Sequence, residues 1–284
     1  MSREDAASGE QSEKYFNEAE PLDPRNVQLL EEHALTYSSL RRFPEALRKL
    51  DEALNITPDD MDTIAVKAAI AQAQGDLPRA SALLAPLRPG ADQKQALETQ
   101  VYQAILERSP APIIPKLKEV LAKPDPTVGH INAELRLWLA WAQEVAGDYA
   151  TAQDTWHQAR SELETFLQEQ PQNYFLAGDL ALANMALGDK AAAISFAEKG
   201  MVLVPIEKDA IDGPCLIDIL ARVAAGTGQP DRAIITLQKL LSMPAQSPLA
   251  ESVPLTPALL RFDPMFDPLR SNPRFQKLCE EKQN

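Results

Sequence analysis

The sequence has few cysteines, few aromatic residues and no long apolar run. Its 284 residues include two cysteines, Cys215 and Cys279, too few for a disulfide framework, and this usage fits a reducing compartment. No stretch approaches the roughly 18 consecutive apolar residues of a membrane-spanning helix, and no basic and apolar signal segment follows Met1. We therefore expect a cytoplasmic protein that has no membrane partner.

Basic side chains are outnumbered by acidic ones. The sequence has 28 Lys and Arg residues against 41 Asp and Glu residues, and its formal net charge is −13. A chain with this charge repels phosphate backbones, so we expect no nucleic-acid partner. The charge permits basic partners, but it can also serve solubility alone, and we favour the solubility interpretation.

The motifs of common enzyme classes are missing. The sequence has no glycine-rich phosphate loop ending in Lys and Ser or Thr, and no Gly-x-Ser-x-Gly nucleophile turn. His33, His130 and His157 are far apart, and none has a partner at the spacing of metal ligands. No set of nucleophile, base and oxyanion donor can be assembled, so the sequence predicts a non-enzyme that needs no cofactor or metal.

The chain does contain a repeated spacing of small residues. Two alanines stand twelve residues apart in five places, and in the last four a glycine precedes the second alanine by five residues. Helices that cross closely need small side chains at the contact, and a glycine can end a helix in the left-handed conformation. Each unit is therefore predicted to be a helical hairpin. The alanine pairs are Ala34 and Ala46, Ala68 and Ala80, Ala140 and Ala152, Ala181 and Ala193, and Ala221 and Ala233, and the glycines are Gly75, Gly147, Gly188 and Gly228.

This pattern resembles the tetratricopeptide repeat, whose period is about 34 residues. The match is best from Val27 to Asp60, where Ala34, Tyr37 and Ala46 stand at expected positions. The resemblance implies an all-α fold, a right-handed α-solenoid of about six helical hairpins with a C-terminal helical cap. The expected parts are a disordered N-terminus (1–11), a half repeat (12–26), repeats 1 and 2 (27–92), a degenerate repeat (93–127), repeats 4 to 6 (128–247) and a capping segment (248–284).

Three local departures from the repeat are informative. Residues 161–170 lack helix breakers, so they should extend the second helix of the fourth repeat until Pro171. Residues 206–213 should form a loop. The half repeat at 12–26 lacks its first helix, and two explanations stay open: the missing portion lies upstream in a longer polypeptide, or the short N-terminus is sufficient to cover the edge.

The C-terminal stretch from Leu259 to Leu278 repeats Asp-Pro and Asn-Pro steps. Each step pairs a helix-capping acceptor with a proline suited to a first helical turn, which predicts a terminal cap. This string resembles the closing segment of bacterial multidomain signalling proteins in which repeats follow a kinase, a cyclase or a DNA-binding domain. The apolar residues expected to cover the last repeat are Phe262, Phe266, Leu269, Phe275 and Leu278.

The resemblance places the candidate binding site in the concave groove, which the first helix of each repeat lines. The later repeats present an apolar strip suited to an amphipathic helix or an extended peptide. The alternative is that the long helix after Trp156 folds over this strip and buries it. The predicted partner contacts are Leu137, Trp141, Phe175, Leu182 and Met185.

One function of the family can be tested on residues. Some tetratricopeptide domains hold the C-terminal carboxylate of a chaperone with Lys, Asn and Arg on the inner face. The corresponding positions here carry no basic or amide residue, so the carboxylate clamp is absent and no chaperone-tail partner is expected. Those positions are Glu31, Leu35, Val66, Leu137, Trp141, Asp179, Cys215 and Ile219.

The sequence thus favours a non-catalytic scaffold that binds a protein or peptide partner in its groove, in bacterial signalling. Two alternatives remain open. In the first, the chain is the regulatory tail of a larger kinase or cyclase, as the half repeat and the C-terminal string suggest. In the second, the groove closes around a small ligand or peptide signal, and the protein acts as a sensor.

Overall fold

A computed structural model describes residues 3–90, 93–123, 129–249 and 254–280, with side chains described from residue 11 onward. Within these ranges the chain forms α-helices, one 3-10 helix (Pro264–Leu269) and no strand. The α-helices are α1 (Arg3–Ala19), α2 (Val27–Ser39), α3 (Phe43–Leu54), α4 (Met61–Ala73), α5 (Leu77–Leu84), α6 (Lys94–Leu106), α7 (Ile114–Leu121), α8 (Ile131–Val145), α9 (Tyr149–Glu169), α10 (Tyr174–Ala186), α11 (Lys190–Leu203), α12 (Asp212–Gly226), α13 (Pro230–Leu241), α14 (Pro257–Leu260) and α15 (Pro273–Glu280).

Helices α2 to α13 are arranged as successive pairs. The two helices of a pair pack closely in α2/α3, α4/α5, α8/α9, α10/α11 and α12/α13, whereas α7 packs mainly on α8 rather than on α6. The first helices of neighbouring pairs also touch, as α4 with α6 and α10 with α12. The predicted all-α solenoid is therefore confirmed.

The alanine pairs lie at the helix crossings, as their spacing predicts. All ten alanines are at most 1% exposed, and the two alanines of each pair belong to the same buried cluster. The glycines between them adopt φ values from +77° to +85°. After three of these glycines an aspartate caps the next helix: Asp76, Asp148 and Asp189 accept hydrogen bonds from backbone N–H groups three residues later. The short Gly-Asp step thus ends one helix and starts the next.

Two arginines occupy the turn position where the other pairs have glycine. Arg41 and Arg108 have φ values of 58° and 57°, in the left-handed region that costs a residue with a β-carbon about 1–2 kcal/mol. Both side chains bind distant parts of the chain. Arg41 donates to the carbonyl oxygens of Met243 and Leu255 at 2.6 and 3.2 Å, and Arg108 forms a bidentate pair with Asp267 at 2.6 and 2.7 Å. These bonds offset the backbone cost.

The position of Arg108 also fixes the register of the degenerate third pair, α6 and α7. Val101 precedes this arginine by seven residues, as Ala34 precedes Arg41, and Leu117 stands at the fourth position of α7, as Ala46 does in α3. Both side chains are completely buried. Because they are larger than alanine, the two helices cannot approach as closely as in the other pairs.

The C-terminal segment, residues 243–249 and 254–280, covers the end of the array and also reaches its beginning. Phe266, Leu269, Phe275 and Leu278 are at most 3% exposed and belong to the main core, whereas Phe262 is partly buried against it. The backbone N–H of Ala245 donates to the carbonyl oxygen of Ser39 in α2 at 3.2 Å. The Thr256 hydroxyl donates to the carbonyl oxygen of Ala73 in α4. The segment is therefore a connection between the first two pairs and the last one.

The N-terminal helix begins earlier than the sequence predicts. Helix α1 starts at Arg3, inside the stretch 1–11 expected to be disordered; Ala6, Ala7 and Glu10 favour a helix there, and Gly9 does not interrupt it. Its end packs on the first pair: Phe16 stacks on His33 at 4.7 Å, and Glu13 accepts hydrogen bonds from Tyr37 and Arg42.

The two other departures from the repeat lie in the second half of the chain. Helix α9 continues to Glu169, just before Pro171, as the sequence predicts. Turns occupy residues 206–211, and α12 begins at Asp212, inside the stretch that was expected to form a loop.

Two glycines offer a direct measure of the contact between the C-terminal segment and the second pair. A β-carbon on Gly147 meets nothing within 4 Å, so Gly147→Ala should cost only the left-handed backbone penalty of about 1–2 kcal/mol. A β-carbon on Gly75 would lie 3.2 Å from Phe262 and 3.3 Å from Ala258. We expect Gly75→Ala to cost about 1–3 kcal/mol more than Gly147→Ala in urea denaturation. Equal losses would contradict the close approach.

Candidate functional site

A cavity of about 360 Å³ lies on the inner side of the last three pairs. Its walls come from α8, α10 and α12, with the start of α6 on one side and the C-terminal segment as a cover. The residues that line it are Lys94, Glu98, His130, Glu134, Leu137, Trp138, Trp141, Trp156, Tyr174, Phe175, Gly178, Asp179, Leu182, Asp212, Cys215, Leu216, Ile219, Gln246, Ser247, Pro248, Leu249 and Met265.

Four of the five predicted partner contacts meet at this cavity. Leu137, Trp141, Phe175 and Leu182 all line it. Met185 does not; it packs instead against Gly226 of α12, where the missing side chain leaves room for the thioether. Contact of these residues with a partner remains a prediction.

The apolar strip is covered, but not by the long helix named in the alternative interpretation. Leu137, Trp141 and Leu182 are 3–8% exposed, so an amphipathic helix cannot lie along them. No residue of α9 beyond Trp156 lines the cavity; the cover consists of residues 246–249 and Met265. What remains accessible is a pocket with one exposed aromatic residue, Phe175, at 46% exposure.

One wall of the cavity is a cluster of aromatic rings. The rings of Trp138 and Trp141 lie 5.5 Å apart, and Tyr102 packs behind them at 6.0 and 5.9 Å. The Tyr102 hydroxyl donates to Asp263 of the C-terminal segment at 2.7 Å, and Trp156 donates its indole N–H to Glu144 at 3.1 Å. These bonds hold the polar ends of Tyr102 and Trp156, while Trp138 and Trp141 are fixed by ring packing and burial.

The part of the cavity beside the first turns of α6 and α8 is charged. Lys94 lies 2.6 Å from Glu134 and 3.8 Å from Glu98, and His130 lies 3.1 Å from the other oxygen of Glu134. Burial acts to raise the pKa of Glu134, but the hydrogen bonds from His130 and Lys94 outweigh it and hold that pKa below its ordinary value. Glu134 is therefore ionised and held by its two partners.

Asp179, which also lines the cavity, is in a different state. Its Oδ2 atom is buried and has no hydrogen-bond partner among the described residues. Burial, together with the charge of Glu134, raises the pKa of Asp179 well above its ordinary value, and Lys94 only partly opposes this. The sequence pointed to Asp179 only as a position of the absent carboxylate clamp; in the structure it lines the cavity with an unsatisfied oxygen.

The rim of the cavity combines an aromatic pair with a hydrogen-bonded acid. Tyr174 and Phe175 lie with their rings 4.3 Å apart, and the Tyr174 hydroxyl donates to Asp212. Burial and this hydrogen bond raise the pKa of Tyr174. Cys215 is buried, and its thiol donates to the carbonyl oxygen of Gln246 at 3.5 Å. Burial raises the pKa of this thiol, so Cys215 lines the cavity as an inert side chain and is not a nucleophile.

Replacing Asp179 should stabilise the fold. A carboxyl group whose folded pKa is raised destabilises the folded state as the pH increases from its ordinary pKa of 3.8 through the folded value. Asp179→Asn removes this penalty, so we expect its melting temperature at pH 7 to equal or exceed that of the natural chain. The difference should shrink when both are compared near pH 4. A less stable variant at pH 7 would contradict the pKa shift.

Comparisons with known proteins find similar solved structures but no matching family model. No protein-family model matches the chain, and no curated protein matches it. A solved tetratricopeptide repeat protein from Parabacteroides merdae is similar over 84% of this chain and 88% of its own, with 18% identity and a TM-score of 0.49. PilW, a widely conserved type IV pilus biogenesis factor, is similar over 84% of this chain and 86% of its own, with 16% identity and a TM-score of 0.34. At these values neither neighbour indicates what the chain binds.

The fold and the cavity together define a class of protein: an α-solenoid of helical hairpins with an internal pocket. Within the described ranges, no helix is both long and apolar enough to cross a membrane. The same part of the chain holds no group of three or more His, Cys, Asp or Glu side chains arranged to hold a metal ion.

Proposed function

We propose that the chain is a non-catalytic interaction scaffold that holds a segment of a partner protein by inserting one of the partner's side chains into the cavity. The observation that carries this is an aromatic-walled cavity whose rim exposes Phe175 in an otherwise covered groove. Aromatic pockets that receive one anchor residue supply most of the energy of many protein interfaces. The mechanism is binding to a preformed site, without large reorganisation of the helices.

The setting we propose is bacterial signalling in the cytoplasm. Support comes from the cysteine usage and from the resemblance of the C-terminal string to that of signalling proteins. That string also has a structural task here, because Asp263 and Asp267 bind Tyr102 and Arg108 of the third pair. The string is therefore explained by its role in the fold at least as well as by a signalling setting.

A peptide selection tests the scaffold function. A random peptide library displayed on phage is selected against the full chain at pH 7, and the enriched peptides are titrated into two variants. Phe175→Ser removes the exposed apolar rim without adding charge and should weaken their binding tenfold or more. Val202→Ser, at a side chain that is 78% exposed and outside the cavity, should not change it. Failure to enrich any peptide, or equal binding to both variants, would reject the proposal.

Phe175 is a better test position than Trp141, although both line the cavity. The Trp141 side chain is 5% exposed and packs against Trp138 and Tyr102, so Trp141→Glu would bury a charge in the core and unfold the chain. A loss of binding in that variant would not separate recognition from stability. Phe175 is half-exposed, and its replacement leaves the core intact.

A further inference from the structure

The lining of the cavity contains more acidic than basic residues. Its ionisable residues other than Tyr and Cys are Lys94, Glu98, His130, Glu134, Asp179 and Asp212. Lys94 is shared between Glu134 and Glu98, and His130 also binds Glu134. Lys94 and His130 are thus engaged with other acids, while Oδ2 of Asp179 is buried without a hydrogen-bond partner in the described part of the chain.

A carboxyl oxygen that is buried without a donor is costly, and a ligand that brings positive charge beside the carboxyl group lowers that cost. We propose that the cavity binds the ammonium or guanidinium group of a Lys or Arg side chain from the partner segment, with Asp179 as its ion-pair acceptor. This inference rests on the function proposed above and adds the chemistry of the anchor residue.

The remaining walls suit the other parts of such a side chain. Trp138, Trp141 and Tyr174 line the cavity, and aromatic rings attract a nearby cation through their faces. Leu137 and Leu182 provide apolar surface for the aliphatic stem, which Lys and Arg bury readily. A volume of about 360 Å³ is at the lower end of the range for small-ligand pockets and accepts one long side chain, not a helix.

Charge and shape favour a side chain of a protein over a free amine. The exposed Phe175 at the rim offers apolar surface to the residues that flank the anchor, which a small amine cannot use. The net charge of −13 attracts basic segments over a longer range. A metal ion is a poor alternative occupant, because the described residues provide no cluster of metal ligands.

The test uses the selected peptides. We expect Lys or Arg at one fixed position among the enriched sequences. The tightest peptide is then synthesised with that residue and with norleucine (for Lys) or citrulline (for Arg), and both are titrated calorimetrically into the natural chain and into Asp179→Asn. Each single change should weaken binding tenfold or more, and the two together should weaken it little further, since they remove the same contact. Asp154→Asn, on the exposed face of α9, is the matched control and should bind normally.

The outcomes separate this inference from the function on which it rests. Enriched peptides without a basic residue, or equal binding to Asp179→Asn, would overturn the cationic anchor and leave the scaffold function intact. If no peptide is enriched, both fail. Pentylamine alone is added as a further probe in thermal melts. If it raises the melting temperature of the natural chain but not that of Asp179→Asn, while peptides do not bind, the cavity takes a free amine and the partner side chain is rejected.

Discussion

Arg222→Ala should lower the free energy of unfolding by about 3–5 kcal/mol, the usual cost of removing one partner from a buried ion pair. Arg222 lies in α12, donates to Asp218 at 2.9 Å and to Asp263 at 2.5 Å, and sits over the ring of Phe266 at 5.0 Å. The arginine and both aspartates are completely buried. Removing the guanidinium leaves two acids without their cation in the core.

The position of Asp263 makes the effect long-range. This acid belongs to the C-terminal segment, and it also accepts a hydrogen bond from Tyr102 in the third pair. The ion pair to Arg222 therefore helps to hold the segment between the third and the last pair. Loss of the arginine should loosen all three elements together.

Urea denaturation followed by circular dichroism measures the loss. The control is Arg274→Ala, because Arg274 forms an ion pair of similar length, 2.6 Å, with Asp231, but both side chains are at least half exposed. Such surface pairs contribute about 0–1 kcal/mol. A loss below about 1 kcal/mol for Arg222→Ala would show that the two aspartates are protonated or rearranged when the arginine is absent.

The hairpins could be predicted from the sequence because the signals that specify them are local. A close helix crossing needs a small residue on each helix, and a tight turn needs a left-handed residue, so both appear at fixed spacing along the chain. The third pair lacks these signals for a physical reason: Val101, Leu117 and Arg108 replace the two alanines and the glycine. Its helices were expected, but its register was not.

The path of the C-terminal segment could not be predicted in the same way. Its contacts with the early pairs join residues far apart in sequence, and Arg41 and Met243, for example, are separated by 202 positions. Nothing in the local pattern of either residue specifies the other. The one available signal was an arginine where the repeat has glycine, which indicates that the side chain compensates for an unfavourable backbone conformation.

The same limit applies to the candidate site. The inner-face periodicity placed Leu137, Trp141, Phe175 and Leu182 on one side of their helices, and they do line one cavity. Whether Oδ2 of Asp179 has a partner depends on which acids the nearby basic side chains bind. Lys94, which binds Glu134, lies in α6, in a pair whose sequence shows no repeat signal. A missing partner becomes visible only after every surrounding side chain has been placed.

Phe266→Ala should have the second large effect, a loss of about 3–5 kcal/mol in the free energy of unfolding. The ring is completely buried in the main core, between Arg222 at 5.0 Å and the ring of Phe275 at 6.2 Å. Phe175→Ala is the matched control, because the same substitution at a half-exposed ring should cost about 1 kcal/mol or less.

Hydrogen exchange in the Phe266→Ala variant shows what the C-terminal segment does. If the segment connects both ends of the array, the loss of its central ring should speed exchange of the Ala245 amide, which donates to Ser39 in the first pair, as well as amides in the last pair. If only the last pair exchanges faster, the segment is an end cap and its contacts with the first pair contribute little. The first outcome implies that occupancy of the cavity, whose cover belongs to this segment, changes the stability of helices at both ends of the chain.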